Sequence, residues 1–191
     1  MDKSSLLKSI ANTSYNVGFG AKKHFASFDI IEKVPSLIGF LIMAIGILQI
    51  AYPNFPYNKE VSIFLIVIGI ATLYLMYYSS RENEYDKNGK KLTIIYNELR
   101  DLYYSVKNSD SNNFSEEYNN LKSLEKSFHE MSLSNQVFFS DWFAHYKFFY
   151  QMQIDWINEQ KKFSLFKDKI PKSFLFFCVL IIIIAICIIF L

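Results

Sequence analysis

Histidines are the side chains best suited to acid–base or metal chemistry, and this chain has them at His24, His129 and His145. They are far apart, and none belongs to an H-x-x-x-H or H-E-x-x-H pattern. The sequence also lacks G-x-S-x-G, G-x-x-x-x-G-K and G-x-G-x-x-G. Asp141 lies one helical turn before His145 and could hydrogen-bond to it, but a metal there would lack further ligands. The sequence therefore predicts a protein that is not an enzyme and has no catalytic residues, metal site or cofactor.

The stretch "DWFAHYKFFYQMQIDW", residues 141–156, combines aromatic faces with hydrogen-bonding tips. It is interpreted either as an aromatic core between helices or as a ligand pocket or subunit interface. Trp142 and Trp156 are fourteen residues apart, about four turns of a helix, so we expect them to face nearly the same way, with Tyr146, Phe149 and Gln153 between them on the same stripe. The candidate interface or ligand residues are Trp142, His145, Tyr146, Phe149, Gln153, Asp155 and Trp156.

Three charge-free apolar runs surround these residues, at 35–52, 61–78 and 173–191. A helix of nineteen residues is about 28 Å long, close to the thickness of the hydrocarbon core of a bilayer. Pro35 suits the first position of a helix. The prolines in "PNFPYNKE" predict a tight turn between the first two runs. We therefore expect a transmembrane hairpin and a third, C-terminal span that pins the end of the chain to the bilayer.

Lysine distribution predicts the orientation of the spans. The hairpin linker carries only Lys59, whereas residues 1–34, 79–91 and 161–172 each carry several lysines or arginines. Residues 1–34 and 79–172 are thus expected in the cytoplasm, with the C-terminus outside. Lysine outnumbers arginine eighteen to two, which fits an AT-rich bacterial genome. The predicted location is the bacterial inner membrane.

Polar chemistry within the spans is sparse. Gln49 is their single amide and the candidate pore-lining residue, and no acidic or basic residue lies at depth. That absence argues against a proton-coupled carrier. Three helices cannot enclose a pore, so a pore requires a homo-oligomer. The net charge of +2 and the lack of a dense basic tract predict no binding to nucleic acid duplexes.

Residues 79–172 predict a cytoplasmic helical bundle. Apolar residues at 92, 95, 99, 102 and 106, and again at 114, 118, 121, 124, 128 and 131, follow helical spacing. A third helix is expected to run from about 135 through 160. No proline lies between Val61 and Ile170, so the second span could continue into the bundle as one rod, with Asn88–Gly89 as its weak point. The predicted fold is an all-α membrane protein.

This order of parts resembles the SLATT family, two-transmembrane effector domains associated with SMODS nucleotidyltransferases and SLOG nucleotide sensors. The segments that carry the resemblance are "EKVPSLIGFLIMAIGIL", "SNQVFFSDWFAHYKFFYQMQIDWI" and "FKDKIPKSF", within residues 5–175. The resemblance implies an antiphage effector that responds to a nucleotide second messenger, or to a signal-producing partner, by assembling and breaching the inner membrane. The third span departs from the family pattern. A structural or regulatory membrane subunit without a pore, or a small channel, are the alternatives.

Overall fold

The computed structural model describes residues 2–54, 56–131 and 135–190, and within these residues the chain forms helices and turns and no strand. This confirms the predicted all-α fold. A 3-10 turn, Ser79–Arg81, and a π turn, Leu165–Lys169, separate some of the helices. The helices are α1 Lys3–Ala51, α2 Asn58–Tyr77, α3 Glu82–Asn108, α4 Ser115–Met131, α5 Ser140–Gln151, α6 Asp155–Lys161 and α7 Lys172–Phe190.

Helix α1 is one helix of 49 residues, about 73 Å long, that joins the N-terminal segment to the first apolar run. The prediction that a helix begins at Pro35 is wrong, because Pro35 lies inside α1. Proline removes one backbone hydrogen bond and usually kinks or ends a helix. Here Ile31, one turn earlier, is packed against the bundle with Tyr85 and Val137, so the helix is held by tertiary contacts on the N-terminal side of the proline.

The bundle forms around the N-terminal half of α1, which packs against α3, α5 and α6. The predicted apolar stripe of α3 is buried in this core: Leu92, Ile95, Leu99, Leu102 and Val106. Within this core Gly18 faces α3 and α5. A Cβ there would lie 2.9 Å from Cδ2 of Tyr96 and 3.0 Å from Cε2 of Phe148. Glycine is therefore required at this crossing.

Helix α2 continues into α3 through the 3-10 turn alone, and Gly89, the predicted weak point, lies inside α3. The ring of Phe25 lies 3.0 Å from the position that a Cβ of Gly89 would occupy. Helix α1 therefore packs directly against the backbone of α3 at this glycine. That contact explains why a residue of low helical propensity lies within an unbroken helix.

The prediction of one long helix from about 135 through 160 is wrong. Helix α5 ends at Gln151 and α6 begins at Asp155. The hydroxyl of Tyr96 donates a 2.8 Å hydrogen bond to the carbonyl of Gln153 in the intervening segment. Because a side chain of α3 binds this backbone group, tertiary contacts stabilise a break that contains neither proline nor glycine.

Among the described residues, two helices are long and apolar enough to cross a membrane: α1, and α2 together with its continuation into α3. None of their most apolar segment is buried within the chain, which distinguishes these segments from the core of a soluble protein. Helix α7 is a third apolar helix, and its described side chains are partly or fully exposed. The chain is thus a membrane protein with a hairpin of apolar helices that continues into a helical bundle.

Candidate functional site

The seven candidate residues do not form one surface. Trp156 and Phe149 are buried in the bundle core, where Trp156 is 3% exposed, between the rings of Tyr96 and Tyr103 at 5.6 and 5.1 Å. Trp142 lies on a different helix, near the beginning of α7. The interpretation that Trp142 and Trp156 share one helical stripe is wrong, because the chain breaks between α5 and α6.

Gln153 and Asp155 have exposed side chains at this break, and Gln153 contributes its carbonyl rather than its amide to the contact with Tyr96. The other three candidates, Trp142, His145 and Tyr146, line a cavity between α5 and the beginning of α7. The seven candidate residues are therefore divided between the bundle core, the break between α5 and α6, and this cavity.

The cavity has a volume of about 300 Å³, at the lower end for small-molecule sites. Tyr146 stacks with Phe143 and with Tyr150, at ring-centroid distances of 6.4 and 5.7 Å, and Tyr146 and Tyr150 are 51% and 61% exposed. Lys169, Ile170, Pro171 and Phe174 complete the lining, and Lys169 supplies a positive charge. This arrangement can accept a flat ring that carries a negative group.

His145 borders the same cavity and is partly buried. Burial lowers its pKa, against an opposing effect of Asp141. Its Nδ1 is buried and has no hydrogen-bond partner among the described residues. Asp141 instead forms a 2.7 Å ion pair with Lys23 of α1. The predicted Asp141–His145 contact is thus replaced by a link between helices.

A second ion pair fixes α5 to α1. Asp29 accepts hydrogen bonds from Lys147 of α5 and, at 2.5 Å, from Lys33 of α1. Burial acts to raise the pKa of Asp29, but the two lysines outweigh it and lower the pKa. Neither ion pair can be predicted from the sequence, because the two partners of each are more than a hundred residues apart.

A chain of aromatic contacts connects the segment before α5 to α7. We name Phe138, Phe139, Trp142, Phe174 and Phe177 the aromatic strip. Ring centroids are 4.3 Å apart for Phe138–Phe139, 4.9 Å for Phe139–Trp142, and 5.3 Å from Trp142 to each α7 phenylalanine. In the sequence, Phe138 and Phe139 belong to an apolar triplet directly after a polar break, a pattern that fits the predicted helix equally well.

Gln49 lies near the end of α1, beside the hairpin linker. Its amide donates hydrogen bonds to the carbonyl of Asn58 at 2.9 Å and to Oγ of Ser62 at 3.1 Å. Within one chain this side chain therefore joins the ends of α1 and α2.

No group of three His, Cys, Asp or Glu within residues 2–54, 56–131 and 135–190 is positioned to hold a metal ion. The arrangement defines an all-helical membrane protein whose first span is continuous with a core helix of its bundle. The chain belongs to the SMODS and SLOG-associating 2TM effector domain 6 family, SLATT_6, whose model matches residues 1–178. The predicted family is confirmed, and the match ends inside α7. No curated protein and no solved structure matches the chain.

Proposed function

We propose that this chain is a membrane effector of bacterial antiphage defence. A nucleotide signal or a partner protein triggers it to oligomerise and permeabilise the inner membrane, which ends the infection with the death of the cell. Membership of a family of two-transmembrane effector domains supports the effector role. The defence role, the trigger and the pore are the proposed part.

The continuity of α1 carries this proposal. One end of α1 contributes buried residues such as Leu6, Ile10 and Val17 to the bundle core, and the other end is a candidate span. A ligand shifts an equilibrium between two conformations by its differential affinity for them. Because the helix has no loop between core and span, a rearrangement of the bundle must tilt or rotate the span.

The exposed apolar surfaces of the spans support oligomerisation. Two helices, or three with α7, are too few to surround a water-filled path. Apart from Leu65, the side chains of the apolar runs of α1 and α2 are exposed or half-buried, so their surfaces are available to other copies. We place Gln49 at such an interface, where its amide would exchange partners within the hairpin for partners in another chain.

The orientation belongs to the same proposal. Lysine distribution favours the bundle in the cytoplasm, where a nucleotide signal would be produced. Helix α7 is then the third span, and it carries the C-terminus to the outer face. The bundle would be attached to the membrane at both ends, so α2 and α7 would both respond to its rearrangement.

The cavity at the beginning of α7 is where we expect a signal to act. Tyr146 and Tyr150 can stack on a nucleobase, and Lys169 can pair with a phosphate. Exchanging Lys169→Gln together with Tyr146→Ser is expected to reduce triggered membrane damage without changing protein abundance. Tyr118→Ser on α4, where the tyrosine is also exposed, is the matched control.

The decisive experiment measures entry of a membrane-impermeant dye during phage infection of cells that carry the chain with its native neighbouring genes. A triple-glycine insertion between Lys33 and Val34 breaks the α1 connection. The control places the same insertion between Pro53 and Asn54 in the hairpin linker. Wild type and control are expected to admit dye, and the helix variant is expected to exclude it at equal membrane abundance.

Other outcomes lead to other functions. Dye entry without infection indicates a small channel. Protection from phage without dye entry, at any stage of infection, indicates a structural or regulatory subunit and contradicts the pore. Dye entry in the helix variant equal to that of wild type would refute transmission through α1.

A further inference from the structure

The segment Asn135–Phe139 presents two phenylalanines on a fixed backbone. Tyr85 donates a 2.6 Å hydrogen bond to the carbonyl of Asn135, and the side chain of Val137 is buried against the bundle. Phe138 is nevertheless 66% exposed and Phe139 48% exposed. Phe139 has a φ of 68°, a left-handed conformation that is unusual for a bulky residue. The bundle thus holds two large apolar rings outward at a strained turn.

These rings border an apolar groove between the two candidate spans. The groove has a volume of about 310 Å³. On α1 it is lined by Ile30, Val34 and Ile38, which share one helix face. Ala71, Tyr74 and Leu75 line it on α2. Because Ile38 and the α2 residues belong to the charge-free runs, the groove is continuous with the apolar surface of the hairpin.

Polar groups around the groove are arranged as at a membrane surface. The hydroxyl of Tyr74, a polar atom of the lining, lies 3.2 Å from the hydroxyl of Tyr78. Lys33 immediately precedes the groove residue Val34, and its side chain is 67% exposed while its Nζ also pairs with Asp29. Arg81 is exposed directly after α2. Cations at the ends of apolar spans are positioned to meet lipid phosphates.

The aromatic strip also contacts the beginning of α7. Trp142 contacts Phe174 and Phe177, and its Nε1 donates a 3.0 Å hydrogen bond to Oγ of Ser173. Tryptophan is enriched where one side of the ring is apolar and the other reaches polar groups, as at a membrane interface. The strip therefore extends from the hairpin groove to the beginning of the third apolar helix.

We propose that Phe138 and Phe139 insert into the bilayer beside the hairpin, and that an acyl chain of a membrane phospholipid occupies the groove beneath them. A lipid fits better than a protein partner because the groove offers almost no hydrogen-bonding groups and opens along the membrane-facing surface of the spans. The bundle then contacts the membrane through its own loop as well as through its helices. This inference does not depend on pore formation.

A tryptophan reporter tests the position of the loop. Phe138→Trp is made in a Trp142→Phe background, and Trp156 is left in place because it is 3% exposed and shielded from lipid. The protein is reconstituted in phosphatidylcholine vesicles with bromine on the acyl chains. Ile94→Trp on the exposed face of α3, 58% exposed in wild type, is the control in the same background.

The reporter at 138 is expected to emit at shorter wavelength than the control and to lose at least half of its own emission to the brominated chains. The control is expected to lose none. Equal, weak quenching of both reporters would overturn the membrane insertion. A blue-shifted but unquenched reporter at 138 would also overturn it, because a second copy of the chain would then cover the loop.

The groove is tested separately by filling it. Ala71→Phe in the reporter background is expected to displace the acyl chain and to reduce quenching at position 138. Ile66→Phe, on the same helix, 62% exposed in wild type and outside the groove lining, is expected to leave quenching unchanged. Undiminished quenching in the Ala71 variant would overturn the acyl-chain assignment.

Discussion

The two tryptophans provide a quantitative test of the bundle, because they have similar sequence surroundings and different structural environments. Trp156 is almost completely buried between Tyr96 and Tyr103. A buried tryptophan removes about 150–250 Å² from water, which at about 25 cal/mol per Å² gives roughly 4–6 kcal/mol. Measured tryptophan-to-alanine costs in protein cores are about 3–5 kcal/mol. We therefore expect Trp156→Ala to remove a large part of the stability of the bundle.

Trp142→Ala is expected to cost less. The tryptophan is partly exposed, and the variant loses its hydrogen bond to Ser173, worth about 0.5–1.5 kcal/mol, together with part of its packing on α7. For a chain of this size, 1 kcal/mol corresponds to a change in Tm of roughly 2–4 °C. Trp156→Ala is thus expected to lower the Tm by about 6–20 °C, and Trp142→Ala by only a few degrees.

The assay is thermal unfolding in detergent, followed by circular dichroism, with membrane abundance measured in parallel. Trp156→Phe is the control, since it retains an aromatic ring between the two tyrosines and should lie between wild type and the alanine variant. Equal Tm losses for Trp142→Ala and Trp156→Ala would contradict the two different environments and favour one continuous aromatic stripe. An unchanged Tm for Trp156→Ala would refute the described core.

Three further predictions test other parts of the structure. A reporter fused after Leu191 is expected on the outer face and one inserted at Asn112 in the cytoplasm; both on one side would exclude α7 as a span. Burial, with a smaller contribution from Lys23, lowers the pKa of His24 to about 4, so stability is expected to fall as the pH is lowered from about 6.5 toward 4. His24→Leu should flatten that part of the profile; an unchanged profile would refute the assignment. Gly18→Leu is expected to abolish folding by clashing with Tyr96 and Phe148, and normal abundance of this variant would contradict the close α1–α3 crossing.

The elements that the sequence predicts correctly are those decided by local composition. Charge-free runs identify the hairpin because a single lysine at the centre of a span would cost about 3 kcal/mol. The three–four spacing of Leu92, Ile95 and Leu99 identifies the buried face of α3 for a similarly local reason.

What the sequence does not predict depends on contacts between distant residues. Pro35 looks like the beginning of a helix until the packing of Ile31 is known. The break after Gln151 depends on the hydrogen bond from Tyr96 to the carbonyl of Gln153, and these two residues are 57 positions apart. This break separates the candidate site residues. Helical periodicity places residues on one face only as long as the helix is continuous.

The continuity of α1 also sets an order of events during synthesis. The side chains of Leu6, Ile10 and Val17 are buried against partners that include α3, which begins at Glu82. At about 5–20 residues per second, α3 follows this part of α1 by roughly 4–15 seconds. Both runs of the hairpin leave the ribosome within that interval. The core that α1 shares with α3 therefore cannot be completed until both runs of the hairpin have been synthesised.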